Sequence, residues 1–216
     1  MAASVLAMTE SGDRQPGRRT QAQRRAESEE RLLRAFAELV VEKGVAHTSV
    51  NDIGSRAGYS HTLVHHLFGS KAALLARLTE SVERFAWGMG QRAAEGRSGR
   101  ETLLAVAAGY LEMVIAESNP LGRVLVVLSC EAVTGSAELR AWSRQWDSRM
   151  CSRLADVIRI GLADGSISPR CNPEELAVVI LALLRGVGLQ VLGDGALDLP
   201  SAQRVVANVL GAALDA

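Results

Sequence analysis

The chain contains 216 residues, which is enough for one or two domains with a buried core. Hydrophobic residues make up 48% of the chain and aromatic residues only 4%, so the core must consist mainly of leucine, valine and alanine, as suits packed helices. The 24 basic and 24 acidic residues cancel, which excludes a positive field over the whole molecule as a means of binding nucleic acid.

The first 21 residues are predicted to form a disordered basic arm, because they contain Pro16, Gly17 and few apolar residues. Five arginines lie close together in the arm and just beyond it: Arg14, Arg18, Arg19, Arg24 and Arg25. A basic arm can follow the phosphates of DNA or enter its minor groove. Up to Pro16, a disordered and solvated leader is an equally good interpretation.

The next segment is predicted to contain one longer helix and two short ones. Apolar residues recur at helical spacing over 22–43, and Gly44 ends this first helix. Ser49 and Asp52 form a capping-box pattern before the second helix, which stops at Gly58. Ser60 caps a third helix that covers about 61–67. Two short helices around a glycine turn are typical of a helix-turn-helix, whose second helix enters the major groove of DNA.

The two sides of that second short helix differ in chemistry. At ~100° per residue, its inner side is apolar and consists of Val64, Leu67 and Phe68. Its outer side and first turn are mostly polar, without long cationic side chains: His61, Thr62, Leu63, His65 and His66. Threonine and histidine can bond base edges or phosphates, and an exposed leucine can contact a thymine methyl group.

A longer pattern surrounds these helices, and it consists of Thr48, Ser49, Val50, Ile53, Ala57, Gly58, Tyr59, Ser60, Val64 to Lys71, Leu74 and Leu75. This pattern resembles the signature of the TetR family of bacterial transcriptional repressors, without gaps over about 26–86. The sequence differs from the usual pattern at three positions. Gly54 stands where alanine is common, and Tyr59 stands where valine is common. His65 stands where a tyrosine usually contacts a phosphate, and an imidazole can replace the tyrosine in that contact.

The resemblance implies an all-α fold of about nine helices, in which a helix-turn-helix head precedes a helical body. The predicted divisions are an arm at 1–21, a DNA-binding domain at 22–86 with its motif at 49–68, and a ligand-binding and dimerisation domain at 87–216. The candidate base contacts are Thr62, Leu63 and His66, with Asn51 by alignment. The other candidate contacts, chiefly to phosphates, are Thr48, Ser60, His61, His65 and Lys71. Two alternatives are a solvated face and a zinc site shared by His61 and His65, which lacks a nearby third ligand.

The remainder of the chain is predicted to be helical. Further helices are expected at about 71–95, 100–118, 119–133, 137–163 and 176–192, and Ser201 is expected to cap the last one. The helix at 176–192 is apolar almost all round, so it must be buried on most sides. The resemblance implies that the last two helices pair with their copies in a four-helix dimer interface. The alternative is that both are satisfied within one chain.

The resemblance also implies that the body binds a small molecule. The candidate ligand contacts are Trp87, Tyr110, Met113, Glu117, Cys130, Trp142 and Trp146. Tryptophan and methionine on one side of a helix are more often simple core residues, which is the alternative for each of them. Charged residues are sparse on the middle helices, which favours an apolar or amphipathic ligand.

Other functional classes lack support in the sequence. No catalytic motif or glycine-rich phosphate loop is present, and no metal or cofactor is predicted. The cysteines Cys130, Cys151 and Cys171 lack metal-binding spacing, which indicates a reducing compartment. No signal peptide is recognised, and the apolar run 121–128 is too short to span a bilayer, so we expect a cytoplasmic protein without a membrane partner.

The resulting prediction is a homodimeric transcriptional regulator that binds double-stranded DNA at an inverted-repeat operator. It is expected to be a repressor that a small apolar or amphipathic effector releases from the operator. The alternative is a helical small-molecule-binding or interaction protein that retains the fold without specific DNA binding.

Overall fold

A computed structural model describes residues 20–115, 119–193 and 197–215. In these ranges the chain forms nine α-helices and no strand, which confirms the predicted all-α class. The helices are α1 Gln21–Lys43, α2 Val50–Ala57, α3 His61–Phe68, α4 Lys71–Ala94, α5 Gly99–Ile115, α6 Leu121–Glu131, α7 Ala137–Ala163, α8 Pro173–Gly193 and α9 Leu199–Asp215. Most of the basic arm, residues 1–19, lies outside the described residues.

Local caps define the short helices of the head. The Ser49 hydroxyl accepts the Asp52 backbone N–H at 3.1 Å, and the Asp52 carboxylate accepts the Ser49 N–H at 2.9 Å, so the predicted capping box is confirmed. Gly58 ends α2 in the left-handed conformation, with φ 76° and ψ 28°. The Ser60 hydroxyl accepts the Leu63 N–H at 3.3 Å at the start of α3.

The last helix begins earlier than the sequence predicts. We expected Ser201 to cap it, but α9 starts at Leu199. The Asp198 carboxylate accepts the Ser201 N–H at 2.8 Å and provides the cap instead. Pro200 fits within the first turn because the N–H groups of a first turn have no partner inside the helix.

Helix α5 lies at the centre of the body. It packs against α4, α6, α7, α8 and α9, and its side chains Leu103, Leu111 and Val114 are completely buried. One apolar core joins the head to α4 and α6, and a second joins α5 to α7, α8 and α9. A Cβ atom at Gly122 would lie 2.0 Å from the Met113 carbonyl oxygen, so this glycine permits the close approach of α6 to α5.

Helix α8 is less buried in the single chain than its composition predicts. The side chains of Val178, Val179 and Leu189 are 57%, 60% and 50% exposed. By length and composition α8 is also the one helix in the described part of the chain that could cross a membrane. This is weak evidence, because a core helix of a soluble protein has the same length and composition. The described part of the chain therefore leaves one apolar side of α8 uncovered.

Candidate DNA-binding surface and effector cavity

Helix α3 presents the polar surface that the sequence predicts. Val64 is 2% exposed and packs inward, while His61, Thr62, His65 and His66 are exposed and Leu63 is half-buried. Leu67 and Phe68 pack against the same core as Val64. The helix is therefore fixed by its apolar side, and its polar side is free to contact another molecule.

A backbone contact orients the imidazole of His65. Its Nδ1 atom lies 3.1 Å from the carbonyl oxygen of Gly69, which ends α3. A carbonyl can only accept a hydrogen bond, so Nδ1 carries a proton in this contact. The Nε2 atom of a neutral His65 then has only a lone pair, and it can donate to a phosphate only when the ring is doubly protonated. The His61 ring lies edge-on, with its centroid 6.3 Å away.

Three further candidate DNA contacts differ in accessibility. Asn51, in the first turn of α2, and Ser60, the cap of α3, are both exposed. Thr48, by contrast, is 1% exposed, and its hydroxyl donates to the Gly44 carbonyl oxygen at 2.7 Å. The Thr48 side chain was expected to contact a phosphate. In the structure its hydroxyl instead closes the connection between α1 and α2.

Two cations of α1 and α2 form exposed ion pairs near α3. We call α3 the reading helix, because it is the helix predicted to enter the major groove. The Lys43 ammonium lies 2.8 Å from the Asp52 carboxylate, and this contact, together with the cap, holds the pKa of Asp52 well below its usual range. The Arg56 guanidinium binds Glu42 through two hydrogen bonds of 2.7 Å and lowers the pKa of that carboxyl. These pairs join α1 to α2, so both of these cations already have a carboxylate partner within the head.

A contact that the sequence did not predict joins the body to the head. Both carboxylate oxygens of Glu131, the last residue of α6, lie 3.1 Å from the backbone nitrogen of Val45 and accept its N–H. The Lys71 ammonium donates to the carbonyl oxygen of the same Val45 at 2.6 Å. We call these three residues the Val45 link. Lys71 was predicted to contact a phosphate, and here its ammonium has a protein partner.

A cavity of about 320 Å³ lies in the body, between α4, α5, α6, α7 and α8. Four of the predicted ligand contacts line it: Trp87, Tyr110, Met113 and Trp146. Its wall is mostly apolar, and Trp87, 44% exposed, lies at its surface. The volume falls at the lower end of the range for small-molecule sites.

The other three predicted ligand contacts do not line the cavity. Trp142 stacks on Trp146 with ring centroids 6.2 Å apart, and its indole N–H donates to Glu83 at 3.0 Å. It therefore supports the wall from behind. Cys130 is exposed near the end of α6 and is not part of the wall. Glu117 lies outside the described residues.

Charged side chains at the cavity were missed by the sequence reasoning. Arg153 and Arg185 both line it, on α7 and α8. The Arg153 guanidinium lies 3.3 Å from the ring centroid of Trp87. Arg185 is ion-paired with Asp147 across the two helices. Arg153 is one of many charged residues on α7, so the sequence alone did not distinguish it from a solvated residue. Arg185 is the one basic residue of the apolar helix α8, and its contact with the cavity depends on packing between helices.

A helix-turn-helix with an exposed polar second helix, joined to a helical body that contains an apolar cavity, defines a DNA-binding regulator. The model described as "Bacterial regulatory proteins, tetR family" matches residues 32–78. The model described as "BetI-type transcriptional repressor, C-terminal" matches residues 100–215, more than half of the chain. The chain belongs to the TetR family and is a DNA-binding transcriptional regulator, as the sequence predicted, and not an enzyme.

Solved structures share the fold at low sequence identity. A TetR-family regulator from Agrobacterium tumefaciens is 18% identical, with a TM-score of 0.77 over 89% of this chain and 100% of that one. FadR from Bacillus subtilis in complex with stearoyl-CoA is 19% identical, with a TM-score of 0.72 over 85% and 98%. A regulator from Saccharomonospora viridis in complex with choline is 22% identical, with a TM-score of 0.74 over 86% and 96%. No curated protein matches the chain.

Proposed function

We propose that this protein is a cytoplasmic homodimeric repressor that a small apolar or amphipathic effector releases from an inverted-repeat operator. The observation that carries the proposal is the exposure of the polar side of α3 above the buried Val64. The proposed units are the arm at 1–21, the head at 22–86 and the body at 87–216. Thr62, Leu63 and His66 would contact base edges in the major groove, with Asn51 nearby.

The phosphate contacts would come from the ends of the reading helix. Ser60 and His61 lie at its start and His65 in its last turn, so they flank the proposed base contacts. Lys71 can contribute only if its ammonium leaves Val45 or bonds both groups, since it has three donors. Lys43 and Arg56 are paired with carboxylates, so the basic arm would provide a further part of the affinity for the phosphate backbone.

The open apolar sides of α8 and α9 support the proposed homodimer. Val205 and Val209 on α9 are 46% and 48% exposed, and they add to the exposed valines of α8. On α8 the exposed positions between Val178 and Leu189 include Ala182 and Gly186, which permit close helix packing. A two-fold dimer through this surface would place two reading helices about 34 Å apart, which is one turn of DNA.

Helix α6 connects the proposed effector site with the head. Leu125 lines the cavity, and Glu131 lies six residues further along α6, a distance of ~9 Å at ~1.5 Å per residue. Glu131 is the member of the Val45 link that belongs to the body. An effector that displaces α6 would therefore change a direct hydrogen bond to the head. Stearoyl-CoA and choline, bound by two proteins of this fold, differ so much that the fold alone does not define the effector.

Replacing His66 with alanine tests the base contact. We expect His66→Ala to weaken binding to an inverted repeat from the DNA flanking the coding region by about 1–3 kcal/mol. The measurement is a fluorescence anisotropy titration at fixed salt, because affinity for DNA depends strongly on salt. His47→Ala is the matched control, since His47 is exposed on the same head but outside α3. Equal affinities of both variants, or no binding of flanking DNA by the unaltered protein, would favour the interaction-protein alternative.

A further inference from the structure

Among the described side chains, one of the charged residues in the cavity wall has no ion-pair partner of opposite sign. Two of the three charged residues in the wall have a partner of opposite sign outside it. Arg185 binds Asp147 through two hydrogen bonds, and Asp156 binds Arg159 at 2.7 Å. The third charged wall residue is Arg153, and no ion pair joins it to a carboxylate of the described residues. Glu83, whose charge acts on Arg153, is bound by Arg149 at 2.5 Å and by Trp142.

Arg153 is held in an environment that disfavours its charge. Burial and the neighbouring Arg149 lower the pKa of Arg153 below its ordinary value, while Glu83 opposes the shift. The face of Trp87 compensates in part, since a guanidinium stacked on an aromatic ring gains about 0.5–2 kcal/mol. This contact leaves the edge of the guanidinium, which carries its N–H donors, without a carboxylate.

A second polar group of the cavity wall also lacks a partner. The hydroxyl of Tyr110 is buried and has no hydrogen bond to any described residue. Burial raises the pKa of Tyr110 to about 12, so the hydroxyl stays neutral and keeps its proton. A buried hydroxyl without a partner costs free energy that an acceptor atom of a ligand can restore.

We propose that the effector is an amphiphile with an oxyanion head, a carboxylate or a phosphate, that binds Arg153, and an apolar chain that fills the cavity. Arginine presents paired donors that match the two oxygens of such a head. The chain would lie along the apolar wall that Met113, Leu125 and Trp146 form, and Tyr110 would donate to an oxygen within reach. This inference depends on the proposed function only in that it places the effector in this cavity.

A cationic effector fits the same cavity poorly. Quaternary ammonium groups bind to the open faces of aromatic rings. The face of Trp87 is already covered by the guanidinium of Arg153, and a second cation there would meet like charge. The carboxylate of Asp156 would not attract it strongly, because Arg159 neutralises that group. The aromatic residues of the wall therefore serve an anion held by arginine better than a cation held by rings.

Matched probes test the sign of the head group on the intact protein without DNA. Decanoate, decyl phosphate, decanol and decyltrimethylammonium share one chain length and differ in their heads. Isothermal titration calorimetry should show one site per chain, with the anions binding about tenfold or more tightly than the alcohol and the cation. The two anions show which oxyanion is preferred. Equal binding of all four, tighter binding of the cation, or no binding of any probe would overturn the proposal.

Two substitutions of arginine locate the head group. Arg153→Gln should lower decanoate affinity by about tenfold or more and leave decanol unchanged, while Arg153→Lys should keep part of the preference. Arg144→Gln, an exposed arginine on the same helix, is the matched control and should change neither. Equal losses for decanoate and decanol would contradict the assignment. Release of operator DNA by decanoate is measured separately, so failure of the regulator proposal is distinguishable from failure of this one.

Discussion

Introducing Val179→Asp and Val205→Asp together should convert the proposed dimer to a monomer. Both valines are about half exposed in the single chain, on the open sides of α8 and α9. Burying a valine side chain contributes about 1.5–3 kcal/mol, and two-fold symmetry places each substitution in the interface twice. Aspartates there would also have to lose water without a partner. We expect the dissociation constant of the dimer to rise at least about 100-fold, measured by sedimentation equilibrium.

The loss of the dimer should in turn remove operator binding. One head alone loses the effective concentration that its partner provides, so affinity for the inverted repeat should fall at least about 100-fold. Val133→Asp is the matched control, because Val133 is apolar and 77% exposed but lies in the connection after α6. It should remain dimeric and bind DNA. A dimeric double variant, or an unaltered chain that sediments as a monomer, would show that α8 and α9 do not form the interface.

The head was predictable because its determinants lie within a few residues of each other. The cap of α2 involves Ser49 and Asp52, three positions apart, and Gly58 ends the helix through its own backbone conformation. The inward direction of Val64 follows from helical periodicity in the same way. The family resemblance added the functional meaning, because a polar outer side by itself is equally compatible with plain solvation.

Features that depend on distant residues were not predictable. Glu131 and Val45 are 86 positions apart, and neither has a local pattern that marks their contact. Thr48 was named as a candidate phosphate contact, yet its hydroxyl donates to the carbonyl oxygen of Gly44, four positions earlier in the chain. The proposed ligand role of Arg153 depends on which acids its neighbours already bind, and that depends on packing between helices. Long-range polar contacts therefore define the parts of the site that sequence patterns leave open.

Replacing Gly44 with alanine should destabilise the protein through the Val45 link. Gly44 has φ 78° and ψ 170°, a conformation that is essentially restricted to glycine and costs other residues about 1–3 kcal/mol. A Cβ atom there would also lie 2.0 Å from Glu131 Oε1, so the carboxylate would have to leave the Val45 N–H. We expect a loss of roughly 3 kcal/mol or more in the free energy of unfolding in urea, from strain together with a lost charge-assisted hydrogen bond.

Gly58→Ala and Glu131→Ala separate the two causes. Gly58 has a similar φ but open space around it, so Gly58→Ala should cost only the backbone term, about 1–2 kcal/mol. In a Glu131→Ala background the clash at Gly44 disappears, so Gly44→Ala should cost less there than in the unaltered chain.

If the Val45 link transmits effector binding, Glu131→Ala should also bind effector normally and yet release DNA less completely, as judged by anisotropy. Additive stabilities together with unaltered release would mean that α6 acts on the head only through apolar packing, because the hydrogen bond would then carry no coupling between the cavity and the reading helix.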